Sequence, residues 1–465
     1  MSVVEKFCLF VISLFFVLIH SDGIFFWDNI AQLSVPADYY FDNGLSNFFI
    51  PDEIATGHQT FVAAYLALGW KIFGKNLLVS HLLMVPFVYG ILLQLYRFIS
   101  KFLDNKKHIY IILFLTVLDA AILSQLSLIT FEKVHIFFLL WAINTFIENR
   151  KTAFIIAFAG LCLVSLRSTM SAIGLGIFVF IYPFITHQKW KFETVLLLVP
   201  GFFLFAIFLL TFYFEKGWII HNTVSNSWSE SSEYASLQDM AKNTVIIFKN
   251  LGDYGRIYAL AGSGLLVLLF FFERRKFSKV DKILLALILS QFIIFYLTTV
   301  IYRNSISMRY FIPVSLFITL FFLISVFRNF RKKYTIAALA LISTINGYFW
   351  SYPINIASNW DCTPAHWPYY DLRKKMKDYI VSKKINTDEV GTFFPNARSF
   401  KVTELSRDQS GFANVDFNKN RYIFFSNVYN VDDEALQELF NSSKWKLIKQ
   451  FSNGKIFVSL YERLE

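Results

Sequence analysis

The sequence predicts an α-helical polytopic membrane protein of about eleven transmembrane helices with a small soluble α/β domain at its C-terminal end. Three observations carry this. Of 465 residues, 55% are hydrophobic and 55 are Phe, with a mean hydropathy of +0.48; long uncharged runs recur along most of the chain, as bilayer-crossing helices require. Connections rich in Lys and Arg alternate with connections nearly free of them. Beyond about residue 350 the long apolar runs stop and short alternating ones take over.

Taken in order, the apolar stretches fall at 7–26, 77–99, 109–127, 133–147, 152–166, 171–186, 194–214, 257–272, 283–301, 309–327 and 334–350. Several are shorter than the ~20 residues of a spanning helix. The first, FCLFVISLFFVLI, is followed by aromatic residues and Asp28 rather than by a small-x-small cleavage site, so it is expected to stay as an uncleaved span. With the N-terminus cytoplasmic, the connections KFLDNKKH, ENRK, HQKWK, ERRKFSKVDK and RNFRKK all face the cytoplasm. Those at 128–132 and 167–170 face the other side and carry only Arg167. Lys and Arg resist translocation, so this asymmetry sets the orientation and puts the C-terminal domain outside. The expected location is a cell (inner) membrane, multi-pass.

The net charge of +11 belongs to those loops and to anionic lipid, which leaves no nucleic-acid partner. Three segments lie outside the membrane: about 27–76, about 215–256 and 351–465. In the first, TFVAAYLALGWKIFG (60–74) reads as an interfacial helix, because counting it as a span would break the charge alternation. The last combines RYIFFSN and KIFVSLYER, which alternate as strands do, with the helical stretches DLRKKMKDYIVSKK and DDEALQELFNS. The domains are therefore 1–350, transmembrane, and 351–465, soluble and extracytoplasmic.

The candidate functional residues gather on the translocated side. Asp28, directly after the first span, is either a base toward a hydroxyl nucleophile or a charge that ends the helix. Asp52, Glu53 and His58 in PDEIATGHQ are either a binding cluster or an acidic helix start favoured by the helix dipole. Glu132 and Lys133 open the fourth span, facing a cavity or pairing with each other. Arg167 is an isolated charge deep in a bundle, which suits a phosphate or carboxylate partner. Arg303 and Arg309, with Tyr302 and Tyr310, form a basic and aromatic patch, for phosphate or as a tie to a loop carboxylate. His221 is expected at the surface. No Gly-rich phosphate loop, GxSxG or HExxH occurs, so the sequence requires no cofactor. Asp52 and Glu53 could ligate a divalent ion through oxygen, though nothing demands one.

The order of these features resembles the integral-membrane C-type glycosyltransferases, in particular the protein mannosyltransferase and lipid A aminoarabinose transferase branch. The resemblance runs through about 1–350: Asp28 after span one, GHQTFVAAYLALGWKIFG at 57–74, Glu132 opening span four, Arg167, and RYFIP at 309–313. Gln59-Thr60 stands where relatives often carry Pro-Pro, and Asp28-Asn29 where the protein mannosyltransferases carry Asp-Glu. The resemblance implies a sugar donor on a polyprenyl phosphate, reached from the bilayer, and inversion at the anomeric centre. The acceptor would be a glycan, lipid or protein. It implies Asp28 as base or acceptor-orienting carboxylate and Glu132 as a second acid. Lys133, Arg167, Arg303, Arg309 and Tyr310 would lie toward the lipid phosphate, and His58 would shape the first-loop site. Two other classes stand beside this one. A lipid or glycan transporter or flippase would show related halves and midplane charges, which the sequence lacks. A catalytically silent scaffold with an outer binding domain is compatible with the same carboxylates.

Overall fold

A computed structural model describes residues 1–46, 48–219, 233–272, 277–303, 305–354, 356 and 358–464. His221 and the ERRK start of the 273–282 connection lie outside the described residues. Each predicted apolar stretch is helical. Among the described residues, five helices are long and apolar enough to cross a membrane: Leu77–Ile99, Leu166–Thr186, Phe192–Lys216, Lys279–Val300 and Met308–Asn329. The number rises to as many as seven if each of two bent pairs is one span. The distance from about eleven is one of length. Val3–Ile19 and Phe131–Ile147 run 17 residues, Lys333–Tyr348 runs 16 and Lys151–Val164 runs 14. Side-chain caps set several of these starts: Ser2, Thr130 and Ser165 each accept a backbone N–H of the first turn.

The two bent pairs meet. Lys106–Val117 and Ala120–Ser127 form an angle of 73°, and Leu237–Gly252 and Ile257–Phe272 one of 101°. Asp119 caps the second half of the first pair, accepting from Ala121 N and Ile122 N. It lies 3.8 Å from the buried Arg256 at the bend of the second pair. Tyr348 donates its hydroxyl to the freed Leu118 carbonyl. Backbone released from a helix inside a membrane protein needs such partners within the protein.

The C-terminal unit is a five-stranded sheet. β1 (Val390–Thr392), β2 (Ala413–Asn414) and β3 (Tyr422–Ser426) run parallel, and β4 (Trp445–Asn453) and β5 (Ile456–Arg463) add an antiparallel hairpin, in the order β2-β1-β3-β5-β4. Gly454 takes the positive φ of 60° that the two-residue hairpin turn needs at its first position. The helices Pro368–Ser382 and Asp433–Asn441 accompany the sheet. Its core does not close on itself. Phe26 and Leu128 from the helical part are packed inside it, and Phe26 stacks on His366 with centroids 5.1 Å apart and planes 11° from parallel. Phe25 N donates to Thr403 O at 3.0 Å. The unit thus braces the segment that follows the first helix.

Candidate functional site

Arg309 is the centre of a buried charge cluster at one end of the helix bundle. It sits in the short 3-10 turn Met308–Phe311 that leads into Ile312–Asn329, and it is 3% exposed. Its Nη1 donates to Asp361 Oδ2 at 2.7 Å, its Nη2 donates to Asp28, and its Nε lies 3.9 Å from Glu132 Oε1. The turn is held from outside, since Asn359 Oδ1 accepts Met308 N at 3.1 Å. Asp361 is itself anchored: its carbonyl accepts Ser124 Oγ at 2.7 Å and Gln125 Nε2 at 2.8 Å. Burial pushes the Asp361 carboxyl above the usual range, against the pull of Arg309.

Asp28 lies between two unusual backbone features. Trp27 adopts a left-handed φ of 54°, which a bulky residue rarely accepts. A π-helical turn, Ile30–Ser34, follows. Strain of both kinds concentrates where a side chain must be aimed. The C-terminal unit holds this turn in place through Phe26 and through Ser34 Oγ, which donates to Val402 O at 2.5 Å. Asp28 is the more open of the Arg309 partners, with 19% of its side chain exposed against 3% for Asp361 and Glu132.

A second guanidinium completes the cluster. Arg167, in the first turn of Leu166–Thr186, donates to Glu132 Oε1. Its guanidinium lies over the Tyr310 ring at 4.3 Å and over Phe131 at 5.2 Å, close enough for cation–π attraction to both. On the far side of Glu132, His135 Nδ1 lies 3.7 Å from Oε2, and His135 Nε2 bonds Ser171 Oγ at 2.7 Å. Three carboxylates therefore surround two guanidiniums.

His58 faces this cluster from the first loop. Gly57, at φ 75°, supplies the left-handed turn that brings it there. Gln59 ties the loop down, with Nε2 donating to Cys162 O and Thr169 Oγ1, each at 3.2 Å. Enclosure by the protein, then the Arg167 charge, push His58 down to about 3, so its ring is neutral. Its Nδ1 and the Nε of Arg309 are both buried, and neither finds a hydrogen-bond partner among the described residues. Beside His58, a narrow apolar crevice of about 10 Å³ lies between the loop and the Val199–Lys216 helix, lined by Phe48, Phe49, Phe208 and Phe212.

The remaining candidates lie elsewhere. Lys133 is 1% exposed and donates to Leu126 O at 3.0 Å, away from its neighbour Glu132. Adjacent helical residues project about 100° apart, so the two cannot share a partner. Arg303 is exposed and held by Glu233 at 2.9 Å and Asp239 at 3.7 Å. Residues 52–54 form a turn rather than a helix start. Asp52 accepts from Trp218 Nε1 at 3.2 Å and lies 3.4 Å from Lys216 Nζ, and Glu53 is exposed. Among the described residues no group of three or more His, Cys, Asp or Glu is placed to hold a metal ion.

No family model and no curated protein matches the chain. Among solved structures, the crystal structure of ArnT from Cupriavidus metallidurans bound to undecaprenyl phosphate matches with a TM-score of 0.49 and 10% sequence identity. The match covers 75% of this chain, which spans 65% of the length of that one.

Asp361 is the site residue that motif order alone does not single out. Its signal is a repeated dipeptide: Trp27-Asp28 and Trp360-Asp361. Both Asp residues bond the same guanidinium.

Proposed function

We propose that the chain is a membrane glycosyltransferase that moves a sugar from a polyprenyl phosphate to an acceptor hydroxyl on the extracytoplasmic side. The observation that carries this is the Arg309 cluster, in which Arg309 Nε, and His58 Nδ1 on the loop that faces it, are buried without a hydrogen-bond partner among the described residues. Buried polar atoms in a folded protein are nearly always bonded. Two buried guanidiniums, one with an N–H to spare, suit an oxyanion such as a lipid phosphate.

In this mechanism the acceptor oxygen attacks the anomeric carbon from the face opposite the phosphate. The anomeric C–O bond to phosphate breaks, its electron pair stays on the leaving lipid phosphate, and the configuration inverts. Asp28, the most open of the three carboxylates, takes the hydroxyl proton. Arg309 and Arg167 hold the leaving charge, with Tyr310 stacked under Arg167. Glu132 fixes Arg167, and Asp361 fixes Arg309.

The orientation that this requires is supported by the opposite end of the bundle. There Glu148 gathers Arg97, Lys101 and Arg150, and Lys106 pairs with Glu5, as expected of cytoplasmic loops. The test is a transfer assay on purified protein in lipid. It uses a panel of polyprenyl-phosphate sugars with a membrane extract as acceptor source, and compares wild type with Asp28→Asn. Transfer from one donor, lost in the variant, supports the reading. A folded wild type that neither consumes nor binds any donor overturns it.

A further inference from the structure

The two Trp-Asp dipeptides do more than supply carboxylates to Arg309. Trp27 and Trp360, the residues next to those acids, both line one cleft of about 290 Å³. Its far wall comes from the sheet unit, just after β3: Asn427, Tyr429, Asn430 and Asp432. The residues that follow these two Trp in the chain, Asp28 and Asp361, are the ones that hold Arg309. The cleft is distinct from the apolar crevice at His58, whose lining shares none of these residues.

Its chemistry is specific. Two partly exposed aromatic side chains of the lining, Trp27 and Tyr352, give faces on which the C–H side of a pyranose ring can lie. Amide and carboxylate side chains at the rim can take up hydroxyls. The Trp27 indole N–H is buried and has no hydrogen-bond partner among the described residues, so the wall carries a donor that lacks an acceptor. Among the described residues no Lys or Arg lines the cleft, and Asp432 and Asp433 do, which disfavours a phosphorylated or otherwise anionic occupant. The volume is close to the lower end of ordinary ligand pockets, roughly 300 Å³, which suits one or two sugar rings.

We propose that this cleft is the acceptor subsite, and that it takes the end of an uncharged glycan and presents a sugar hydroxyl to Asp28. The proposal rests on the transferase reading for the word acceptor. The cleft's affinity for saccharide does not depend on it, so the two can be tested apart.

The experiment measures saturation transfer from the full-length protein in nanodiscs to maltotriose, chitotriose and mannotriose, with donor consumption followed on the same samples. Binding of at least one trisaccharide to wild type is expected. Asn430→Trp, which fills the far wall, should weaken it about tenfold or more. Trp27→Phe, which keeps the ring and removes the N–H, should weaken it severalfold. Lys419→Ala, at the opposite end of β3, should leave it unchanged. Thermal unfolding of each variant shows that the sheet unit is intact. No binding to wild type, or undiminished binding in a folded Asn430→Trp, overturns the cleft, whether or not a donor is consumed. Binding at the cleft with no donor consumed or bound overturns the transferase reading and the acceptor role, and leaves a glycan-binding site.

Discussion

Asp28 and Asp361, from opposite ends of the chain, hold the same guanidinium: Arg309 donates one Nη to each. The first follows the first helix and the second lies on the segment leading into the C-terminal sheet unit. One side chain at the head of the most enclosed long helix, 94% buried over its apolar window, thus locks three distant parts of the chain together. The planar guanidinium makes this work, since its two Nη groups can each serve a different carboxylate at once.

Arg309→Lys should keep the charge and lose the bridge. Transfer is expected to fall roughly 100-fold or more, because the phosphate and both acids lose their fixed donors. Arg309→Met should also destabilise the protein by about 3–5 kcal/mol, the usual result of leaving a buried carboxylate unpaired. Adding Asp361→Asn to Arg309→Met should recover much of that stability without restoring activity. Thermal unfolding in detergent, read with the transfer assay, checks both parts. A double variant no more stable than the single would sink the argument that Asp361 carries the penalty.

Asp28→Asn should leave folding and donor binding in place and lower turnover about 10²–10⁴-fold, the range for loss of a positioned base. The amide still accepts from Arg309 but cannot take a proton. Equal losses in donor affinity and in turnover would assign Asp28 to binding instead.

The helices were legible because the apolar runs are long and their Lys/Arg flanks alternate. The bends were not. The break at Leu118-Asp119 is held by Tyr348 and faces Arg256, partners that no local pattern announces. Within the site, Asp28, Glu132, Arg167 and Arg309 could be grouped by their order along the chain. Asp361 could not, since it sits in a polar segment among many other charges and meets Arg309 only by tertiary folding. Lys133 shows the opposite error. Adjacency to Glu132 in sequence suggested a shared role, and helical geometry sends the two side chains apart. Arg303 and Arg309 lie close in sequence too, yet only Arg309 enters the turn that faces the bundle.

Arg303→Ala should therefore be nearly silent. Its partners are exposed carboxylates, and exposed ion pairs contribute about 0–1 kcal/mol. Tyr310→Leu is the informative contrast. It removes the ring under Arg167, an interaction of about 0.5–2 kcal/mol, and should raise the donor KM severalfold with a smaller change in kcat. Transfer kinetics on the two variants separate a patch from a site. A large loss in Arg303→Ala would return it to the phosphate.

The pH dependence of stability should follow the buried imidazoles. His366 stacks on Phe26 and bonds Thr363 O at 2.6 Å and Tyr370 Oη at 3.1 Å. Burial, against these bonds, holds it down to about 4, and His58 is held down to about 3. An unfolded histidine protonates near 6.5. Above that value neither state is charged, and stability does not change on this account. As pH falls from about 6.5, the unfolded chain takes up protons that the folded chain refuses, so stability is lost by at most about 1.4 kcal/mol per pH unit per group. The loss due to His366 should level off below about 4, where the folded form also protonates. The melting temperature of wild type should thus decline between pH 7 and pH 4.5. His366→Phe, which keeps an aromatic ring against Phe26, should melt lower at pH 7 but decline less steeply. Parallel slopes for the two proteins would show that acid acts elsewhere, on the carboxylates around Arg309 first of all.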